Sequence, residues 1–112
     1  MKTLFRTNIR GNYEGETVVD LGVDDTDTKR QLRVCTHKTA SRRLVTQATV
    51  VQPTEYGFSF VVFQDFSKVV LNTSPKRITK KIVEEQHTQA LEHIEELVLA
   101  AQMHHNIMPE LA

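Results

Sequence analysis

Cys35 and His37 stand two residues apart in an extended-reading segment, so their side chains share one face, the minimum from which a thiolate and imidazole pair can be built. No third group nearby orients the imidazole, and Cys35 reads more simply as a buried structural thiol. The acidic run Asp24-Asp25-Thr26-Asp27-Thr28 invites a calcium reading. Counted from Asp25, however, the third ligand position is Lys29, the required glycine is Arg30 and the closing glutamate is Thr36, so the run reads as a solvated loop. Among the five histidines, His87 and His93 fall on different faces of a predicted helix. His93 and His104 share a face but stand about 16 Å apart at helical rise, too far for one metal ion. His87 falls in the apolar stripe of that helix, where a core or interface histidine is the simpler reading. There is no serine elbow, no zincin pair and no phosphate-cradling loop among the glycines at 11, 15, 22 and 57. The sequence therefore predicts a protein that is not an enzyme and holds no metal and no cofactor.

What remains is charge. Lys29, Arg30, Arg33, Lys38, Arg42 and Arg43 recur across one predicted strand and its turn. Gathered along a strand edge, they would neutralise phosphates, and Lys76, Arg77, Lys80 and Lys81 would extend the patch. Against a nucleic-acid interface, tryptophan is absent, most phenylalanines fall in core-like hairpin positions, and no DNA- or RNA-binding motif occurs. Basic residues on an edge strand also guard against edge-to-edge aggregation.

Formal net charge is zero, yet every lysine and arginine lies at or before Lys81. Residues 1–81 carry 14 basic and 8 acidic side chains, a net +6, and residues 82–112 carry 6 acidic and no basic ones, a net −6. Such polarity bears on partners and orientation rather than on fold. With 39% hydrophobic and 25% charged residues, the 112-residue chain fits one globular domain, 1–112, and neither a coiled coil nor a disordered tract. One cysteine permits no internal disulfide, and no run has signal-peptide or membrane-span length, so a cytoplasmic setting without membrane contact is the expectation.

The elements that must position these groups are read from periodicity. Alternating segments predict an antiparallel meander of about six strands over residues 2–73, with a first turn at Gly11–Gly15 that pairs Arg10 with Glu16 and Arg6 with Asp20. A third strand is expected over Gln31–His37 and a fourth over Arg43–Gln52, followed by a turn at Pro53–Gly57. A last hairpin is expected across Asp65-Phe66-Ser67, and apolar residues on both faces of the last strands, Val69 and Leu71 among them, predict a sheet covered on both sides. Ser74-Pro75 opens one long amphipathic helix, about 75–103, along which Ile82, Val83, Ala90, Ile94, Leu97, Val98 and Ala101 recur at helical spacing. Residues 104–112 are expected to fray. The fold class is therefore α+β.

About 29 residues at 1.5 Å each give a helix of roughly 43 Å, longer than a domain of this size is wide. Leu99 and Met103 fall opposite the main apolar stripe. Lys76, Arg77, Lys80 and Lys81 at the helix start and Glu92, Glu95 and Glu96 near its end oppose the helix dipole. An antiparallel partner helix would satisfy both features. The expectation is a homodimer with contacts at Leu91, Ile94, Val98, Leu99 and Met103, the second sheet face being the competing interface. A meander followed by one long helix is similar in outline to small β-then-α modules such as the single-strand-binding PUR repeats; the likeness is one of architecture, and no residue motif extends it. The functional expectation is a homodimeric protein-interaction or regulatory module, with nucleic-acid binding through the basic strand as the alternative.

Overall fold

A computed structural model of the chain describes residues 1–55 and 60–108, with residues 60–65 described by their backbone alone. Five strands, β1 (Lys2–Thr7), β2 (Tyr13–Val23), β3 (Lys29–Lys38), β4 (Leu44–Pro53) and β5 (Phe60–Thr73), form one antiparallel meander in the order β1-β2-β3-β4-β5. Two helices follow, α1 (Lys80–Leu91) and α2 (Ile94–His105). The α+β class is as expected, with five strands instead of six and two helices instead of one among the described residues.

The first three connections are built alike. In each five-residue turn the first amide donates to the fifth carbonyl: Asn8 to Asn12 (2.8 Å), Asp24 to Thr28 (3.0 Å) and Thr39 to Arg43 (2.8 Å). The fourth residue takes a left-handed conformation: Gly11 at φ 83°, Asp27 at 61° and Arg42 at 61°. The first residue's side-chain oxygen accepts amide hydrogens within the turn, Asn8 from Arg10 and Asn12, Asp24 from Thr26 and Thr28, and Thr39 from Arg43.

Asn8 therefore places the first turn earlier than Gly11–Gly15, and Arg6 pairs with Glu14 while Glu16 faces Leu4. Gly15 lies within β2, where the Phe5 ring sits over it: a Cβ there would stand 2.6 Å from Phe5 Cε1. Asp65-Phe66-Ser67 does not turn the chain. It lies in the bulged stretch of β5 between the Ser67–Thr49 and Phe63–Val50 pairings, and Phe66 packs against the core. The expected turn at Pro53–Gly57 and the paired faces of Phe58–Gln64 fall largely outside the described residues.

The helical region starts later and breaks in the middle. Thr79, not Ser74, caps α1, its side chain accepting from the Ile82 amide. At Glu92 and His93 the amides reach back only three residues, to Gln89 and Ala90 (3.2 and 3.1 Å), and His93 leaves the helical basin at φ −97°, ψ 9°. The molecule measures 44 × 29 × 25 Å, so an unbroken helix of the expected length would span its longest axis. The break lets the chain keep both helices on the sheet. It also reverses the acidic half of the charge order, because Glu95 and Glu96 now occupy the first turn of α2, where the dipole favours them, while Lys80 and Lys81 still open α1. Asn106, at φ 52°, ends α2, and Met108 returns to β2, exchanging two backbone hydrogen bonds with Val23.

Both helices pack on one face of the sheet, and the core beneath them has two halves. Under α2 it is apolar: Leu97, Ala101 and Ile107 close over Leu21, Leu32, Val34, Ala48 and Val50, each large aliphatic chain contributing about 1.5–3 kcal/mol by its burial. Under α1 it is partly polar, with His87 and Gln86 buried against Thr17, Thr36 and Thr46. The other face carries no helix among the described residues, although Cys35 and Val51 on it are buried. It also carries the cross-strand pairs Arg6–Glu14, Arg33–Glu16 and Gln31–Asp20, which satisfy one another.

Candidate functional site

The turns β1–β2 and β3–β4 lie at the same end of the sheet as the chain's entry into α1. The three segments enclose a cavity of ≈ 450 Å³. Lys38 and Arg42 line it from the β3–β4 hairpin, Lys76 and Lys80 from the approach to α1, and Tyr13, Asn12 and Thr7 from the first hairpin. Among the described residues no carboxylate lines it, and none of the four cations has an ion-pair partner. Arg10, Arg43, Arg77 and Lys81 stand exposed at the same end.

Three local costs meet here. Arg42 holds the left-handed position that its sister turns fill with glycine and aspartate, at about 1–2 kcal/mol for a residue with a Cβ. Lys80 and Lys81 crowd the positive end of α1, whose first turn has no acidic residue, against a dipole preference of about 0.3–1 kcal/mol per charge. Like charges are also gathered: among the described residues Lys38, Arg42, Lys76 and Lys80 form no ion pair, although Lys81 pairs with Glu85 at 3.9 Å and the Lys80 ammonium sits 5.3 Å from the Tyr13 ring centre. Tyr13 itself is held: its hydroxyl donates to Glu84 at 2.9 Å, and its ring stacks on Phe5 at 6.1 Å.

The six basic residues read from the sequence therefore separate. Lys38, Arg42 and Arg43 lie at this end, the first two in the cavity. Arg33 lies mid-strand on the open face, donating to Glu16 at 2.7 Å. Arg30 is bound to Asp24 at 2.7 Å and to Gln52 at 3.0 Å, and Lys29 begins β3 at the far end. β3 is moreover the central strand, hydrogen-bonded on both sides, so a basic strand edge over residues 29–43 does not exist. The signal for the cavity was present in the partial grouping with Lys76 and Lys80, but the residues that complete it, Tyr13 and Asn12, carried none.

The five residues expected at a dimer contact also separate. Leu91, Ile94 and Val98 pack against the core while remaining partly accessible. Leu99 and Met103 are 59% and 71% exposed. Ile94, Val98 and Leu99 line an apolar groove of ≈ 320 Å³ beside Met1 and Val19, with Glu95 and Gln102 at its border.

Cys35 and His37 do share a face of β3. Burial pushes the Cys35 thiol up and outweighs Arg33, which donates to its sulfur at 3.7 Å and favours the thiolate, so the group stays a thiol with little nucleophilic character. His87 lies within the core. Its Nε2 meets the Thr17 hydroxyl at 2.7 Å and its Nδ1 the Thr36 hydroxyl at 2.8 Å. Thr3 extends the chain from Thr17, while Thr46 and Gln86 extend it from Thr36. Burial lowers the His87 pKa, so the neutral ring joins β1, β2, β3 and β4 through hydroxyls. At the opposite end of the sheet, the Thr26 hydroxyl, aided by the Thr28 amide and Arg30, holds the Asp24 carboxyl well below the usual carboxylate range. Asp24 is thus a turn-former, and among the described residues no three His, Cys, Asp or Glu side chains gather as metal ligands would. Among the described residues no helix is long and apolar enough to cross a membrane. No protein-family model, curated protein or solved structure matches the chain.

Proposed function

We propose that the protein acts by binding, not by catalysis, as a homodimeric interaction module whose two copies meet along α2. The observation that carries this reading is the exposure of Leu99 and Met103 beside the Met1–Val19–Val98 groove: apolar surface grouped on one helix favours a protein contact. A second copy suits it. Two α2 helices packed antiparallel about a two-fold axis set the acidic first turn, Glu95 and Glu96, beside the partner helix's last turn with its histidines. Replacing Leu99 with Asp places a charge in that contact while leaving the core untouched. Light scattering is expected to give a dimer for the native chain and a monomer for L99D; a native monomer at tens of micromolar removes the reading.

A second reading, nucleic-acid binding, is favoured by the basic end of the sheet, where Lys38 and Arg42 join Lys76 and Lys80. Its basis differs from the strand edge expected from sequence. A gel-shift series with single- and double-stranded probes tests it, and affinity is expected to fall steeply as salt rises.

A further inference from the structure

We infer that the cavity between the β1–β2 turn, the β3–β4 turn and the approach to α1 is a binding site for a phosphoryl group, held by Lys38, Arg42, Lys76 and Lys80. This goes beyond the dimer reading and supplies the anchoring contact that the nucleic-acid reading rests on.

The left-handed arginine, Lys80 at the positive end of α1 and the four cavity cations without an ion pair among the described residues are three separate penalties, from backbone sterics, the helix dipole and Coulomb repulsion. One ligand relieves the last two and gives Arg42 a reason to be where glycine would sit better: an anion between the four side chains. Their donors suit an oxyanion with several acceptors, since arginine offers a planar fork and each lysine three rotatable N–H groups. A volume of ≈ 450 Å³ accepts a phosphate with part of what it is attached to. Stacking of a base on Tyr13 is not on offer, because Phe5 lies against one side of that ring and the Lys80 ammonium lies over it. The site therefore reads charge and not base, and its phosphate comes either from a free phosphate ester or from a nucleic-acid backbone.

The test uses the full chain with pyrophosphate and, separately, a short single-stranded RNA as probes, followed by calorimetry at about 50 mM salt. The double variant K38Q/K76Q removes two cavity cations. K29Q/K68Q removes the same charge from exposed positions elsewhere and keeps net charge matched. Pyrophosphate affinity is expected to fall about tenfold or more in the first variant and little in the second. Loss of RNA affinity in the same pattern identifies a backbone phosphate as the ligand. Pyrophosphate binding without RNA binding supports the site and removes the nucleic-acid reading. Equal weakening of pyrophosphate binding by the two variants, or no binding of either probe by the native chain, overturns the site; RNA binding weakened equally by both variants beside a selective loss of pyrophosphate supports the site and puts the RNA contact elsewhere.

Discussion

Replacing Arg42 with glycine should stabilise the fold and weaken anion binding at once. Arg42 takes φ 61° in a turn closed by the same backbone hydrogen bond as the one in which Gly11 takes φ 83°. The left-handed conformation costs a residue with a Cβ about 1–2 kcal/mol, while the added freedom of glycine in the unfolded chain returns about 0.4–1 kcal/mol of that. The net expectation is a gain of roughly 0.5–1 kcal/mol, or about 2–6 °C in melting temperature for a domain of this size. Removing one cation from the cluster adds a part that shrinks as salt rises, so the gain should be largest at low ionic strength. The reciprocal change isolates the conformational part. At Gly11 an added Cβ meets nothing within 4 Å, so G11A should lose about 1 kcal/mol through backbone strain alone. Urea unfolding of the native chain, R42G and G11A, beside pyrophosphate titration of R42G, makes the comparison. An R42G chain that is less stable than the native one, or that binds pyrophosphate unchanged, refutes the reasoning.

Acid should destabilise the protein through His87. Burial lowers its folded-state pKa, so below the unfolded value of about 6.5 the unfolded chain binds a proton that the folded chain does not. Stability is therefore complete above that value and falls as pH drops through it, by at most about 1.4 kcal/mol per pH unit; denaturant titrations between neutral pH and mild acid should show the slope, and H87L should lack it. H87L should also leave the Thr17 and Thr36 hydroxyls short of a partner in the core, at about 1–3 kcal/mol each where no substitute is found. G15A, whose Cβ would enter the Phe5 ring and press on His87 at 3.2 Å, should cost about 1–3 kcal/mol by overpacking. Protection of the β1 amides against hydrogen exchange is expected to drop with it.

Local chemistry made parts of this molecule legible in the sequence. Alternation gave the meander, and the three- and four-residue recurrence of apolar side chains gave the helical region and the placement of His87 in its stripe. The break at Glu92–His93 was hidden because no glycine or proline marks it. It arises from packing, since α1 follows the threonine-rich half of the core and α2 the aliphatic half. The turn at Asn8 was obscured by the more conspicuous pair Gly11 and Gly15, yet only Gly11 is needed for a positive φ, and Gly15 serves the Phe5 ring. Assigning the basic residues to an edge failed for a different reason: strand order is a long-range property, and nothing within residues 29–43 states that β4 and β2 flank them on both sides. The cavity shows the same limit, for Tyr13, Lys38, Arg42 and Lys80 meet only because two hairpins and a helix start share one end of the sheet.

The central claim, self-association through α2, is tested most directly by sedimentation equilibrium of the native chain and L99D across the micromolar range. The native chain should approach twice its 12.8 kDa mass, and L99D should remain at the single-chain mass with unchanged circular dichroism. A native chain at 12.8 kDa throughout, or an L99D chain that dimerises as tightly as the native one, contradicts it.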